Sequence, residues 1–247
     1  MSAFHLAGIV PVAGQLLDFS FDWHDSLMPI APDFLAVERA ICECAWAGCE
    51  TIWVVCNEDT SPLIRHRIGE WIQDPIWVGR GLDPYPSQTR KQIPIFYVPL
   101  RAKDVGKRDC LGWSILHGAV TAFEVSARLS KWVIPKRNYV AFPYGVYDPE
   151  VLRPHRKNIS SDRPFMLSFN DTTVQNNEYL GFTFDKNDFV VARRKVREGT
   201  GKYNSEILED GLYPRKKLPK EERWSARYFS LDKSPMVSQH RFLGWLL

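Results

Sequence analysis

No apolar run in this 247-residue chain approaches the roughly 20 residues that a membrane-spanning helix needs. Excess charge is scarce too. The 32 basic residues face 29 acidic ones, a formal net charge of +3, too mild for a dedicated nucleic-acid binder but compatible with a local basic pocket for phosphates. The N-terminal MSAFHLAGIVPVAG has no basic region ahead of its apolar residues, and Pro11 interrupts them. It reads as the first core strand of a cytoplasmic protein, not as a secretory leader. Cysteine is sparse and odd in number: Cys42, Cys44, Cys49 and Cys56 fall within fifteen positions, with Cys110 beyond. Cys42 and Cys44 diverge on a helix, which disfavours a zinc cage and leaves small buried thiols in a reducing compartment as the expectation. None of the six histidines is spaced as HExxH or HxxxH, and G-x-S-x-G is absent, so no Ser-His-Asp or zinc-hydrolase motif can be built. His117 is expected on a helix flank. Internal repeats and low-complexity tracts are missing.

What remains, 45% hydrophobic and 25% charged, is the composition of a soluble globular protein with a sizeable core. LAGIVPVAGQ (6–15) is a short apolar run that stops at Ala13-Gly14 and turns polar. It predicts a buried strand over 8–13 that empties into a loop over 14–32. Asp33 is a good N-cap, and Phe34, Val37, Ile41, Cys44 and Ala45 have the spacing of one buried helical stripe. Gly48 stands where a left-handed cap is favoured, and TIWVVC (51–56) follows as a buried strand. This order predicts a right-handed βαβ crossover in a parallel sheet. A second cycle places a helix over 61–72 with Leu63, Ile64, Ile68 and Ile72 inward. An insertion or flap follows over 74–92, where Pro75, Pro84 and Pro86 fall, then a strand over 93–100. The next helix, 110–129, has Ile115, Leu116, Ala119, Ala122 and Phe123 as its core stripe, and 138–148 form a further strand and its exit loop. PFMLSFN (164–170) and YLGFTFDKNDFVVARRKV (179–196) alternate as an antiparallel hairpin does, with DKND as the turn. The expected architecture is α/β: a three-layer α/β/α domain over 1–198 with a mostly parallel sheet and that hairpin, then an irregular C-terminal extension or docking arm over 199–247.

VPVAGQ (10–15), DSLMPIAPDFLAVERAICECAWAGCETIWVV (25–55), DCLGWSILHGA (109–119), VAFPYGVYD (140–148) and EYLGFTFDKNDFVVARRKV (178–196) supply a further pattern. Their order and spacing resemble the nucleotidyltransferase branch of the nucleotide-diphospho-sugar transferase fold, of GT-A type, over residues 6–196. The resemblance implies that fold, and an enzyme that binds an NTP or nucleotide sugar and passes a nucleotidyl group to a sugar phosphate with Mg2+. It implies that Val12, Ala13, Gly14 and Gln15, with Asp109 and Gly112, meet the nucleotide. Asp148 would then be a catalytic residue and metal ligand, and Lys195 a catalytic residue near the acceptor sugar. The family's signature is not intact. Its loop arginine falls among Gln15, Leu16, Leu17 and Asp18, and its lysine before the LxPI segment falls on Asp25 or Ser26. Its metal-binding Gly-Asp aligns with Gly145-Val146, which leaves Asp148 as the nearest carboxylate. A wrong-signed contact at about 4 Å costs on the order of 4 kcal/mol before screening. Arg90, Lys91, Arg101, Lys103, Lys107 and Arg108 are the cations available to compensate. A weaker resemblance is to proteins of tailed marine phages.

Each motif also has a plainer role. The Val12–Gln15 loop is either a row of amides facing a nucleotide at the carboxyl ends of parallel strands or a strand-to-loop turn. DFSFDWHDS (18–26) either holds a divalent metal or stacks a base, or it is a surface loop with apolar anchors. Gly112 either lets a helix N-terminus approach a phosphate or packs a helix closely on the sheet. Asp148 either ligates a metal or caps the helix that PEVL opens. RKKLPKEER (215–223), with five cations and two acids, is a solvated face, or with Trp224, Tyr228 and Phe229 a segment that docks a protein partner. Two functions stay open. One is a divergent nucleotidyltransferase-like enzyme, or a related glycosyltransferase, whose partner is a nucleotide or nucleotide sugar and neither a membrane nor a nucleic acid. The other is a catalytically inactive member of the same fold that serves as a binding or assembly module.

Overall fold

The computed structural model describes residues 4–13, 23–78, 91–102, 104, 111–176 and 178–199, with 132 and 194–199 given by backbone alone. A buried strand, β1 (Leu6–Pro11), opens the chain, two residues earlier than the 8–13 expected. Its side chains alternate: Ala7 and Ile9 enter the core on one face of the sheet, Leu6 and Val10 on the other. A small antiparallel pair, β2 (Pro29–Ala31) and β3 (Phe34–Leu35), occupies the end of the expected loop and the start of the expected helix, so Phe34 lies on a strand and not in the helical stripe. Asp33 therefore sits in the turn of that pair with φ 56° and caps no helix. Helix α1 (Ala36–Ala47) starts just beyond it, where Glu38 accepts the Leu35 amide at 2.7 Å. Gly48 ends α1 with φ 94° in the left-handed region, and β4 (Thr51–Cys56) returns in parallel beside β1.

The second cycle is shorter than its apolar spacing predicts. Helix α2 (Ser61–Ile68) stops at Gly69, whose φ of 86° turns the chain into β5 (Trp71–Gln73). Ile64 is buried but Leu63 is 60% exposed, and Ile72 lies on the strand. A short α3 (Pro75–Val78) begins the expected flap, of which 79–90 lie outside the described residues. β6 (Gln92–Pro99) pairs in parallel with β4 and antiparallel with β5. Helix α4 (Leu111–Leu129) buries Ile115, Leu116, Ala119 and Ala122 against the Ala7 and Ile9 face. Phe123, expected in that stripe, is 40% exposed, and the Lys186 ammonium lies 5.4 Å from its ring centroid. β7 (Arg137–Val140) then pairs in parallel with the far side of β1. A 3-10 turn over Pro149–His155 leads into α5 (Arg156–Ile159).

The hairpin expected over 164–196 needs correction. Its first half forms: Leu167 donates to the Gly181 carbonyl and Thr183 to the Phe165 carbonyl, each at 2.8 Å, and β8 (Phe182–Phe184) pairs antiparallel with β7. DKND, however, is a helix start and not a turn. Asp185 Oδ1 accepts the amides of Asn187 (2.7 Å) and Asp188 (3.0 Å), while the Asp188 carboxylate accepts the Asp185 amide at 3.0 Å. Those reciprocal bonds open α6 (Lys186–Gly199), which sends Ala192 into the core beside α4.

The sheet order is β5-β6-β4-β1-β7-β8, four parallel strands with an antiparallel strand at each edge. Residues of α1, α2 and α5 fill one face and those of α4 and α6 the other, the three layers expected. Residues 200–247, the expected arm, lie outside the described residues. Helix α1 carries the chain from β1 to β4 on one face, and α4 carries it from β6 back past both to β7 on the opposite face. The two crossovers part at β1, so the crevice of this sheet lies outside the carboxyl ends of β1 and β7.

Candidate nucleotide site

Beyond β1 the chain stays pinned to the sheet for two residues. The amides of Val12 and Ala13 both donate to the Val55 carbonyl, at 2.8 and 2.6 Å, and both residues are buried. These two N–H groups therefore serve the sheet, and Gly14 and Gln15 lie outside the described residues. Across the crevice, Gly112 is buried in the first turn of α4. Two residues on, the Ser114 hydroxyl donates to the Ala13 carbonyl. That bond joins the two segments assigned to a nucleotide from sequence; Asp109, which precedes α4, lies outside the described residues.

The loop before β2 closes on the same place. His24 is buried, and its Nδ1 accepts the Ser26 amide at 3.2 Å with the Ser26 hydroxyl 2.8 Å away. Burial pushes its imidazole below the ordinary histidine range, against smaller upward pulls from Asp59 and the Val12 carbonyl. Asp25 is buried and partnered, and Ser26 beside it is fully buried. The Tyr144 hydroxyl is pushed up by burial first and by Asp25 second. The Tyr144 ring lies 5.3 Å from that of Tyr179, which is 5.7 Å from Phe142. Segments that follow β1, follow β7 and precede β8 thus meet at the crevice.

Beneath that rim lies a buried polar network. Arg39 and Glu43, one turn apart on α1, pair at 2.8 Å with side chains 1% and 0% exposed. Arg39 Nη2 donates to the Phe142 carbonyl at 2.5 Å, and the guanidinium carbon sits 4.5 Å from the Tyr147 ring centroid. The Tyr139 hydroxyl donates to Glu43 Oε1 at 2.7 Å, and the Tyr147 hydroxyl faces the same carboxylate. Burial raises the Glu43 carboxyl, while Arg39 and the two hydroxyls pull it down. Gly181 lies so close to the Tyr139 hydroxyl and the Glu43 carboxylate that a Cβ would strike both.

The other sequence candidates lie apart from this core. Asp148 is exposed, and its Oδ1 accepts the Glu150 amide at 2.9 Å, capping the 3-10 turn; this is the plainer of its two roles. Lys195 lies on α6 and not on a hairpin strand. Among the described residues no group of three or more His, Cys, Asp or Glu side chains could hold a metal ion. With Asp148 already capping its own turn, the described residues do not build a Mg2+ site around it. Arg39, Glu43 and Ser114 carried no sequence signal of their own. An Arg–Glu pair at i, i+4 ordinarily reads as a solvated helix face, and a helical Ser is unremarked.

No family model matches the chain, and no curated protein matches it. Solved structures do. A Bacillus anthracis protein described as a glucose-1-phosphate thymidylyltransferase, in complex with a sucrose, has a TM-score of 0.50 at 10% identity over 83% of this chain and 80% of its own. An inositol-1-phosphate CTP transferase from T. maritima has a TM-score of 0.43 at 11% identity over 76% and 74%. A 4-diphosphocytidyl-2C-methyl-D-erythritol synthase from Anaerococcus prevotii also scores 0.43, at 11% identity over 85% and 80%. The fold is nucleotidyltransferase-like. Among the described residues, no helix is long and apolar enough to cross a membrane.

Proposed function

We propose that the chain binds an NTP or nucleotide sugar at the carboxyl ends of β1 and β7 and transfers a nucleotidyl group to a sugar phosphate. The observation that carries this is the Ser114–Ala13 bond, which holds the first turn of α4 against the start of the loop after β1. An α-helix N-terminus beside a strand-to-loop turn at the switch point of a parallel sheet favours phosphate groups. The Bacillus anthracis relative, named for thymidylyl transfer to glucose 1-phosphate, has the same kind of fold. In this scheme Val12, Ala13, Gly14 and Gln15 with Asp109 and Gly112 line the nucleotide, and the acceptor sugar lies near Lys195. A phosphate oxygen of the sugar phosphate attacks the α-phosphorus in line; the new P–O bond forms as the bridge to the β-phosphate breaks, and pyrophosphate leaves. The protein supplies positioning and charge neutralisation.

One observation favours a second reading, a binding or assembly module without chemistry. Asp148 spends its carboxylate on a helical cap, and the neighbouring rim contributes the buried acid Asp25. Thermal-shift titration with each NTP and with nucleotide sugars, with and without Mg2+ or Mn2+, separates the two. A ligand-dependent rise in melting temperature is expected, and Gly14→Val should abolish it while the fold persists. No shift at millimolar ligand would leave the module; an unchanged shift in Gly14→Val would remove that loop from the site.

A further inference from the structure

We infer that the Arg39–Glu43–Tyr147 network is a positioning device for the loop Phe142–Asp148, holding that rim of the crevice in the conformation a ligand meets. The ligand in this inference is the nucleotide proposed above; the effect on the loop stands on its own. The first ground is geometric. A single guanidinium grips the loop near both ends, through the Phe142 carbonyl at 2.5 Å and the Tyr147 ring at 4.5 Å. Between those two grips lies Tyr144, its ring tilted against that of Tyr179 and its hydroxyl influenced by Asp25. Gly145 lies so close to the Tyr179 carbonyl that a Cβ there would strike it. The loop is therefore clamped from α1 on one side and rests on the segment before β8 on the other.

The second ground is energetic. Both charges of the pair are out of water, and a buried ion pair is commonly no better for stability than packed apolar side chains of the same volume. This one is also incompletely compensated. Among the described residues, Arg39 Nε and Nη1 make no hydrogen bond although both atoms are buried. Departures of that kind are expected where a structure serves a site. The neighbouring backbone also makes room for it, since Gly181 admits the Tyr139 hydroxyl and Glu43 carboxylate at a spot where any side chain would collide.

The deciding experiment replaces the charges by apolar groups of similar size. Arg39→Met with Glu43→Met is compared with the wild type by urea unfolding, by hydrogen exchange of residues 144–148, and by thermal-shift affinity for the NTP that the wild type binds best. The expected outcome is a urea midpoint unchanged or raised, loop amides exchanging on the order of tenfold faster, and a ligand Kd weakened by a similar factor. Loop protection equal to that of the wild type overturns the inference. So does loop protection lost only in step with global stability, which would make the pair a plain core element. Should the double variant not fold, Tyr147→Leu serves in its place, because it removes the ring that the Arg39 guanidinium grips and leaves the buried pair intact. Faster exchange confined to 144–148 supports the inference there, and unaltered exchange overturns it. A wild type that binds no nucleotide sinks the nucleotide assignment alone, since the exchange result still decides whether the network positions the loop.

Discussion

Three buried imidazoles illustrate how much single side chains decide here. His5, His24 and His117 are almost wholly buried, and burial is the largest influence lowering each of their pKa values. His117 keeps its Nε2 3.0 Å from the Pro99 carbonyl, so it sits inside a helix–sheet seam and not on an open flank. A base with a lower pKa folded than unfolded takes up protons in the unfolded chain first. Between the two values the unfolded state binds more protons, so stability rises with pH. Stability should therefore be full above about pH 6.5 and erode as the pH falls below it. Each group can contribute at most about 1.4 kcal/mol per pH unit. Urea midpoints measured between about pH 7.5 and 5.5 check this, and His24→Asn should flatten part of the slope. Gly181 makes a second case. Gly181→Ala would drive a methyl into the Tyr139 hydroxyl and the Glu43 carboxylate, and a loss of about 1–3 kcal/mol is expected by urea unfolding.

At the scale of elements, ends matter more than middles. The start of α6 depends on Asp185, which accepts two amides, so Asp185→Ala should cost about 1 kcal/mol and fray that helix in hydrogen exchange. The end of α1 depends on a different partnership. Arg156 reaches both oxygens of the fully buried Asp74 and touches the Ala45 carbonyl in the last turn of α1. Asp74→Ala would take the carboxylate from a mostly buried guanidinium, at a cost of about 3 kcal/mol in thermal or urea unfolding. The same ends explain what was legible in the sequence. The α1–Gly48–β4 unit was readable because a 3.6-residue stripe, a left-handed glycine and a β-branched run follow one another without conflict. The stretch after β8 was misread because the alternation of LGFTF runs on by chance into FVVA. Its Asp-x-x-Asp spacing, which marks a helix start, was the stronger signal. Leu63 and Phe123 fell on the right periodicity but outside the buried arc, an error of width and not of period. Arg39 and Glu43 went unnoticed because α1 is covered twice, by the sheet and by the Pro149–His155 turn that buries Leu152. No pattern internal to a helix reveals a second cover. The Ser114–Ala13 contact joins positions far apart in the chain, and only the assembled sheet brings them together.

The whole molecule adds one constraint that no segment carries. β1 holds the centre of the sheet, with β4 on one side and β7 on the other. Its first partner arrives soon after it in the chain, whereas its second, paired from Leu6–Arg137 to Ile9–Val140, arrives only after β6 and the whole of α4. Contacts of such long sequence separation slow folding. During synthesis the N-terminal half therefore leaves the ribosome with one flank of its central strand bare, and an unpaired strand edge invites association. A chain interrupted before Arg137 should accordingly be recovered as aggregate or in the grip of a chaperone, while one that extends through β8 covers both β1 and β7.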